Sequence, residues 1–287
     1  MKHLSNEPMK LHTTFRVGGP AEDLYLVESA DEIVRIIDAC EENDTDYYII
    51  GNGSNLLVSD KGFKGTIIEI SYNMNNIKVE ADGLYAEAGA LLSAIATTAR
   101  DNSFTGFEFA SGIPGTLGGA VTMNAGAYGG EMKDVVEYVD VLRNGRKARI
   151  PGSDMDFSYR HSRVMEDDLI VLGAKLIFSH GSKDAITAHM KELRDKRNEK
   201  QPVEFPSAGS TFKRPEGYFA GKLIMDAGLK GFSIGGAQVS EKHAGFIINK
   251  GEATADDIYK LICHVQKEVE DKFGVKLEME VRMLGEF

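Results

Sequence analysis

Cysteine is nearly missing from this chain. Cys40 and Cys263 are the only two, they lie far apart in sequence, and the apolar periodicity places both on the inward stripes of helices. Two such thiols read as buried, in a reducing compartment, with neither a disulfide nor a metal between them. The seven histidines form no HxxxH pair and there is no CxxC, so no zinc site is expected. Runs of Lys and Arg are missing as well. With a net charge of −11 and no local basic patch, neither nucleic acid nor an anionic membrane surface is an expected partner. No apolar run approaches membrane-spanning length, and the first residues, MKHLSNEPMKLHTTFRVGG, lack the apolar core of a signal peptide. A cytoplasmic protein without a membrane partner is therefore expected. The common nucleotide signatures fail too. Gly51-x-Gly53 is followed by Leu56 where a Rossmann fingerprint needs its third glycine, and GxxxxGK[ST] does not occur.

Glycine, by contrast, is abundant, with 31 residues, and it is concentrated. Ala110–Glu131 reads ASGIPGTLGGAVTMNAGAYGGE, without a single Lys or Arg. Glycine loses more conformational entropy on folding than any other residue, so dense use has a cause: backbone that needs φ > 0, or backbone that must lie close to a flat or anionic group. Gly118–Met123 is suited to start a helix whose free N–H groups point back at the Gly112–Thr116 turn, which would accommodate a phosphate. A tight structural loop is the alternative. The second glycine-rich turn, Gly51-Asn52-Gly53-Ser54-Asn55, favours a cofactor cradle.

The length of 287 residues, with 42% hydrophobic and 27% charged residues, describes a globular protein of two or three domains. The pattern divides it at 1–70, 71–182 and 183–287. The first unit holds a strand near Asp23–Val27, a capping box at Ser29-Ala30-Asp31-Glu32, and a helix with Ile33, Ile36, Ile37 and Cys40 on one face. A short buried strand, Tyr47–Ile50, runs into the glycine turn and resumes at Leu56–Val58, and Thr66–Ile70 closes the unit. The second is mainly β: Ile77–Ala81 and Leu84–Ala88 around Asp82-Gly83, then Val135–Leu142 and Lys147–Ile150 around Asn144-Gly145, both hairpin turns. A helix over Leu91–Asp101 and a strand over Leu169–Phe178 complete it. A bridging helix over 183–201, with Ile186, Met190 and Leu193 inward, leads to the third unit. There a helix over Phe219–Ala227 closes at Gly228 and a strand spans His243–Asn249. Thr254 caps a long helix that Gly274 stops. Leu277–Leu284 alternates strictly, apolar residues facing one way and Glu278, Glu280 and Arg282 the other.

The segments TTFRVGGPA (13–21), GNGSNLLVSD (51–60), the glycine-rich stretch (110–131), SYRHS (158–162), PSAGSTFKRP (206–215), HAGFIINKG (243–251) and LEMEVRMLGE (277–286) together resemble the UDP-N-acetylenolpyruvoylglucosamine reductase (MurB) family. They follow the family's order over nearly the whole chain. The length matches the shorter type without an extra tyrosine-bearing loop. The resemblance implies an α+β fold: a two-lobed FAD-binding domain of the vanillyl-alcohol-oxidase (PCMH) type plus a C-terminal α/β substrate-binding domain. It implies NADPH-dependent, FAD-mediated reduction of the enolpyruvyl ether of UDP-N-acetylglucosamine to UDP-N-acetylmuramate, in peptidoglycan precursor synthesis.

By the same resemblance, Gly51, Asn52, Gly53, Ser54 and Asn55 of the first turn and Ile113, Pro114, Gly115, Gly118 and Gly119 of the second hold FAD. The binding should be non-covalent, because Gly51–Asp60 contains no His or Cys to link a flavin. Hydride addition to an α,β-unsaturated carboxylate calls for a cation at the carboxylate and a proton donor at the neighbouring carbon. Arg160 is implied as the cation, Ser210 as the proton donor, and Glu280 as a second stabilising contact. Read singly, these residues would be a surface ion pair, a turn serine and a solvated strand glutamate. Tyr159, Lys200, Lys213, Arg214 and His243 are implied at the substrate. Arg214 and His243 stand where longer family members carry Asn and Gln. Tyr159 and Tyr128 suit either a ligand contact or core packing. Only one obvious set of diphosphate-binding cations is present, so NADPH and the UDP-sugar are expected to share one pocket in a monomer. An FAD oxidase of a sugar or lactone, or a non-catalytic nucleotide-binding protein, are the alternatives.

Overall fold

The computed structural model describes all 287 residues. Strands β1 (Lys2–Pro8) and β2 (Pro20–Leu26) flank the TTFRVGG segment, which is folded back on itself by Thr13 Oγ1 donating to the Val17 carbonyl at 3.1 Å. Helix α1 (Ala30–Glu42) starts where the capping pattern places it: Ser29 Oγ accepts from Glu32 N. The Glu32 carboxylate reaches back one residue further than a capping box requires, to Glu28 N. Ile33, Ile36 and Cys40 are buried and Ile37 half-buried. Strands β3 (Tyr47–Ile50), β4 (Leu56–Val58) and β5 (Phe63–Glu69) follow. β3 is less buried than its sequence suggests, with only Ile50 fully enclosed. Nor does β4 resume β3. It pairs in parallel with the last strand of the chain, Leu56 opposite Arg282, whereas β1, β2, β5 and β3 form a sheet in that order.

The middle of the chain builds an antiparallel sheet. β6 (Ile77–Glu80) and β7 (Gly83–Glu87) form the first expected hairpin, but Glu80 pairs with Gly83, so the turn is Ala81-Asp82 and Gly83, pressed against the Leu176 carbonyl, already belongs to the strand. Helix α2 (Leu92–Asp101) buries Leu92, Ile95, Ala96 and Ala99. After β8 (Phe104–Thr105), helix α3 (Leu117–Thr122) and the small hairpin β9 (Gly126–Ala127) and β10 (Gly130–Glu131), the second expected hairpin is made by β11 (Val136–Arg143) and β12 (Arg146–Pro151). Asn144 and Gly145 both hold positive φ, 49° and 70°, the signature of the turn that matches strand twist. β13 (Ile170–Ile177) pairs with β11 and β7, and β14 (Ser179–His180) with β8. Helix α4 (Lys183–Lys200) is polar almost throughout, burying only Ile186 and Leu193.

In the last part, α5 (Ala220–Asp226) ends before Gly228 in the left-handed region. β15 (Ser233–Ile234), β16 (Ala237–Val239) and β17 (Ile247–Asn249) form a three-stranded antiparallel sheet. β17 is shorter than the expected His243–Asn249, because His243 N bonds Ser240 Oγ and Phe246 N bonds the His243 carbonyl, making a turn. Helix α6 (Ala255–Phe273) has the full capping box, Thr254 with Asp257, and a left-handed Gly274 at its end. The Asp60 carboxylate takes the first two helical N–H groups, of Ala255 and Asp256, each at 2.9 Å. The inward stripe is Ile258, Leu261, Ile262, Val265 and Val269. Cys263 lies off it and is exposed, so only Cys40 is the buried thiol that the periodicity implied for both. Phe273, on the expected apolar face, is exposed as well. The final strand β18 (Arg282–Leu284) covers only the end of the alternating segment. The alternation holds at Leu277 and Val281, which are buried, and at Glu278 and Arg282, which are exposed, but Met279 and Glu280 are both half-buried and Leu284 is buried beside a half-buried Met283.

Two compact units result. One comprises Met1–His3, Tyr25–Asn52 and Ile67–Arg197, and the other Leu4–Leu24, Gly53–Thr66 and Asn198–Phe287. The first contains the five-stranded sheet of order β12-β11-β13-β7-β6 and a core that includes Leu84, Leu92, Ile95, Leu117 and Val139. In the second, α6 supplies much of the core, together with Phe15, Leu57, Ile224 and Val281. Each unit thus draws on the first seventy residues, and α4 belongs to the first unit up to Arg197. No helix is long and apolar enough to cross a membrane. No group of three or more His, Cys, Asp or Glu side chains is arranged to hold a metal ion.

Candidate active site

In the first unit the two glycine turns meet. Asn52 Nδ2 donates to the Pro114 carbonyl at 2.9 Å, and a side chain at Gly51 would collide with Thr116 Oγ1. Close backbone approach therefore requires glycine at 51. The start of α3, in contrast, is not a free anion site. Leu117 N donates to the Ala90 carbonyl at 2.9 Å and Gly118 N to Ala88 at 2.8 Å, so residues just past β7 have already taken the helix's leading N–H groups. What the stretch offers instead is open backbone surface: nothing lies within 4 Å of a side chain built at Gly119 or Gly129.

The SYRHS segment is a tight turn fastened to this stretch. Ser158 and His161 exchange both backbone hydrogen bonds, at 3.1 and 3.2 Å, and Arg160 between them holds φ 58°. A non-glycine residue persists in that region only where its surroundings fix it. Those surroundings centre on Asn124, 1% exposed and itself at φ 41°. Its Nδ2 donates to the Ser158 carbonyl at 3.0 Å and to Glu131 Oε2 at 2.8 Å, and its Oδ1 accepts from Lys133 N at 2.9 Å. Ser162 Oγ adds a bond to the Thr122 carbonyl at 2.8 Å. Lys133, then Asn124, hold the Glu131 carboxyl below the usual carboxylate range, with Arg160 contributing from further away. The Arg160 guanidinium lies 5.4 Å from the centre of the Tyr159 ring, and Tyr159 is exposed rather than packed in the core. Tyr128 is exposed too. No motif or period marks Asn124 in the sequence; the one signal is an asparagine among glycines, the polar residue most tolerant of the left-handed region.

The second unit gathers its own set. Thr211 N bonds the Gly245 carbonyl and Glu280 N bonds the Thr211 carbonyl at 2.8 Å. Lys213 N bonds the Glu278 carbonyl, and Phe212 faces Met279 as an antiparallel bridge. Glu280 is thereby held opposite Thr211, the residue after Ser210, and both Ser210 and Glu280 are half-buried. Gly209, at φ 77°, has open space where a side chain would stand. Gly53 (φ 55°) is pressed against the His12 carbonyl, where no other residue would fit. Asn55 Nδ2 donates to the Glu280 carbonyl at 3.1 Å, tying the end of the glycine turn to the segment that carries Glu280.

Among the implied substrate residues, Lys213 Nζ pairs with Glu278 at 3.0 Å on the surface. The Arg214 guanidinium stacks 4.0 Å over Phe219, and Lys200 is exposed at the end of α4. Burial lowers the pKa of His243. Its Nδ1 accepts from Gly245 N at 3.2 Å, so the neutral ring keeps its proton on Nε2.

One buried oxygen tests whether a cofactor belongs here. Thr14 Oγ1 has no hydrogen-bond partner, although a buried hydroxyl left unpaired is costly. Thr14 N donates to the Gly53 carbonyl, so this orphan lies beside the first glycine turn. An unpaired donor there suits a phosphate oxygen as its partner.

Comparison with known proteins agrees. Residues 22–147 match the model of an FAD binding domain, and residues 201–284 that of the UDP-N-acetylenolpyruvoylglucosamine reductase C-terminal domain. The fold class is therefore as expected in its division, an FAD-binding domain followed by a distinct C-terminal domain. UDP-N-acetylenolpyruvoylglucosamine reductase of Caldanaerobacter subterraneus subsp. tengcongensis is 54% identical over 282 residues, 98% of this chain and 93% of that one. The Agathobacter rectalis protein of the same name is also 54% identical, covering 99% of this chain and 94% of its own. The crystal structure of the reductase from Thermus caldophilus superposes with a TM-score of 0.84 at 34% identity, covering 99% of this chain and 98% of that one.

Proposed function

Because this chain belongs to the UDP-N-acetylenolpyruvoylglucosamine reductase family, we propose that its reduction of the enolpyruvyl ether of UDP-N-acetylglucosamine to UDP-N-acetylmuramate is carried by Arg160, Ser210 and Glu280. FAD supplies the hydride chemistry that no side chain can, with NADPH as the reductant. Asn52, Pro114 and the open backbone at Gly119 are suited to hold it. No residue of Gly51–Asp60 is fit to link it covalently.

The observation that carries the assignment is the Thr211–Glu280 backbone bond at 2.8 Å, which ties the segment of Glu280 to the residue that follows Ser210. Arg160, held on its turn by Asn124, receives the substrate carboxylate and stabilises the negative charge that builds there. Ser210 donates its hydroxyl proton to the carbon next to that carboxylate, and solvent returns a proton to the serine oxygen. Glu280 makes the second contact with the developing enolate. Anaerobic absorption spectroscopy tests these roles. In Ser210→Ala, NADPH should still bleach the flavin at close to the wild-type rate. Return of the flavin colour on adding the UDP-sugar should slow by ~10²–10⁴-fold, the usual worth of a positioned acid. Equal loss in both halves would make the serine structural.

Tyr159, Lys200, Lys213, Arg214 and His243 are assigned to the substrate. The exposed Lys213–Glu278 pair is worth at most about 1 kcal/mol, so a diphosphate readily replaces Glu278 as the partner of Lys213. NADPH and the UDP-sugar use this one set of cations in turn, in a monomeric, cytoplasmic enzyme. We assign FAD to two lobes, 1–70 and 71–182, and the UDP-sugar to 183–287.

A further inference from the structure

Helix α4 sets one stripe inward: Ile186, Met190, Leu193 and then Arg197, spaced four, three and four residues apart. Ile186 and Leu193 are buried and Met190 is half-buried against the same core, so Arg197 puts a charge at a position the helix otherwise gives to apolar side chains. Other cations of this basic run are accounted for. Arg194 faces Asp195 at 4.0 Å, Lys196 holds Glu192, and Lys200 stands in solvent. Arg197 alone turns inward, and no carboxylate pairs with it. Its Cδ and Nη1 lie 3.2 Å from the place where a side chain on Gly112 would begin, so the guanidinium rests against the backbone of the glycine-rich stretch. Burial draws its pKa down, and the only group opposing that effect is Tyr128, an exposed residue of the same stretch.

A half-buried cation without a counter-charge is costly, and proteins keep one only where something compensates it. The dipole at the end of α4 offsets part of the cost, but it would serve an outward-facing arginine equally well. The missing partner is therefore an anion that this chain does not contain. We propose that Arg197 binds the diphosphate of a nucleotide lying along Gly112 and Tyr128, its planar fork matching phosphate oxygens as a lysine cannot. Two sources share this chemistry in a flavoenzyme that consumes a UDP-sugar: FAD itself, and the incoming nucleotide. The inference rests on the family reading given above.

Arg197→Gln and Arg197→Lys, made in the flavin-loaded protein, separate the cases. Affinity for UDP is read from the perturbation of the flavin absorption spectrum, and affinity for FAD from the fluorescence of flavin released on dilution. Removing a charge-assisted bond should weaken one of the two about 10- to 100-fold in Arg197→Gln, with Arg197→Lys in between. Loss of UDP affinity with flavin retained assigns Arg197 to the incoming nucleotide, and loss of flavin assigns it to the cofactor. Wild-type affinity for both in either variant overturns the proposal. Failure of the wild-type protein to bind FAD and UDP would instead overturn the family reading.

Discussion

Asn124→Ala is the most informative single change in the first unit. The side chain makes three hydrogen bonds, to Ser158 O, Glu131 Oε2 and Lys133 N, and is almost fully enclosed. Two of these are worth about 1 kcal/mol each and the one to the Glu131 carboxylate about 2. Alanine at φ 41° adds roughly 1 kcal/mol of backbone strain. The expected loss is about 4–6 kcal/mol, or a fall in melting temperature of about 10 °C or more for a chain of this size. Asn124→Gly removes the same bonds without the left-handed penalty and should recover about 1 kcal/mol of it. Function should suffer separately. With the Ser158 carbonyl released, Arg160 loses the support that fixes its left-handed turn. Stopped-flow absorbance at a temperature where the variant is folded should therefore show slower flavin reoxidation by the UDP-sugar, with less change in the NADPH half-reaction. A variant that melts like the wild type, or one that reoxidises at the wild-type rate, would refute the claim that Asn124 anchors this turn.

Acid should act through Lys175, 3% exposed, whose Nζ holds Glu80 at 2.8 Å and Asp82 at 2.6 Å. Burial pulls the Lys175 pKa down, but the bonds to Asp82 and Glu80 outweigh it and leave it raised. Their own carboxyls are held low by the bond to Lys175. Folded carboxyl pKa values below the unfolded ones mean that this stability is present above about pH 4 and disappears as pH falls through the folded values. Urea midpoints measured from pH 6 downward should fall steeply for the wild type and less steeply for Lys175→Met, and identical slopes would refute the linkage. A shared pocket predicts parallel double-reciprocal lines for NADPH and the UDP-sugar, with Arg214→Ala raising both KM values together. Intersecting lines, or a complex holding both ligands at once, would rule it out.

What the sequence by itself determined was local. Ser29 and Thr254 cap helices, Gly228 and Gly274 end them, and Asn144-Gly145 turns a hairpin, because each device is completed within a few residues of itself. The alternation over Leu277–Leu284 places Glu280 away from the core for the same reason, since side chains of an extended segment alternate whatever it pairs with. Family motifs named the reaction and implied the residues proposed for it, but they left open what each residue rests on. Only the tertiary structure decided that β4 pairs with β18 rather than extending β3, because strand partners are chosen by packing across more than two hundred residues. It gave the leading N–H groups of α3 to Ala88 and Ala90, leaving the open glycine backbone as the available surface. It put Cys263 outside and Arg197 inside, reversing what residue type suggests, because a helix face is buried by what covers it. And it made Asn124 the support of the Arg160 turn by joining residues 124, 131, 133 and 158, a set whose members share no period and no motif.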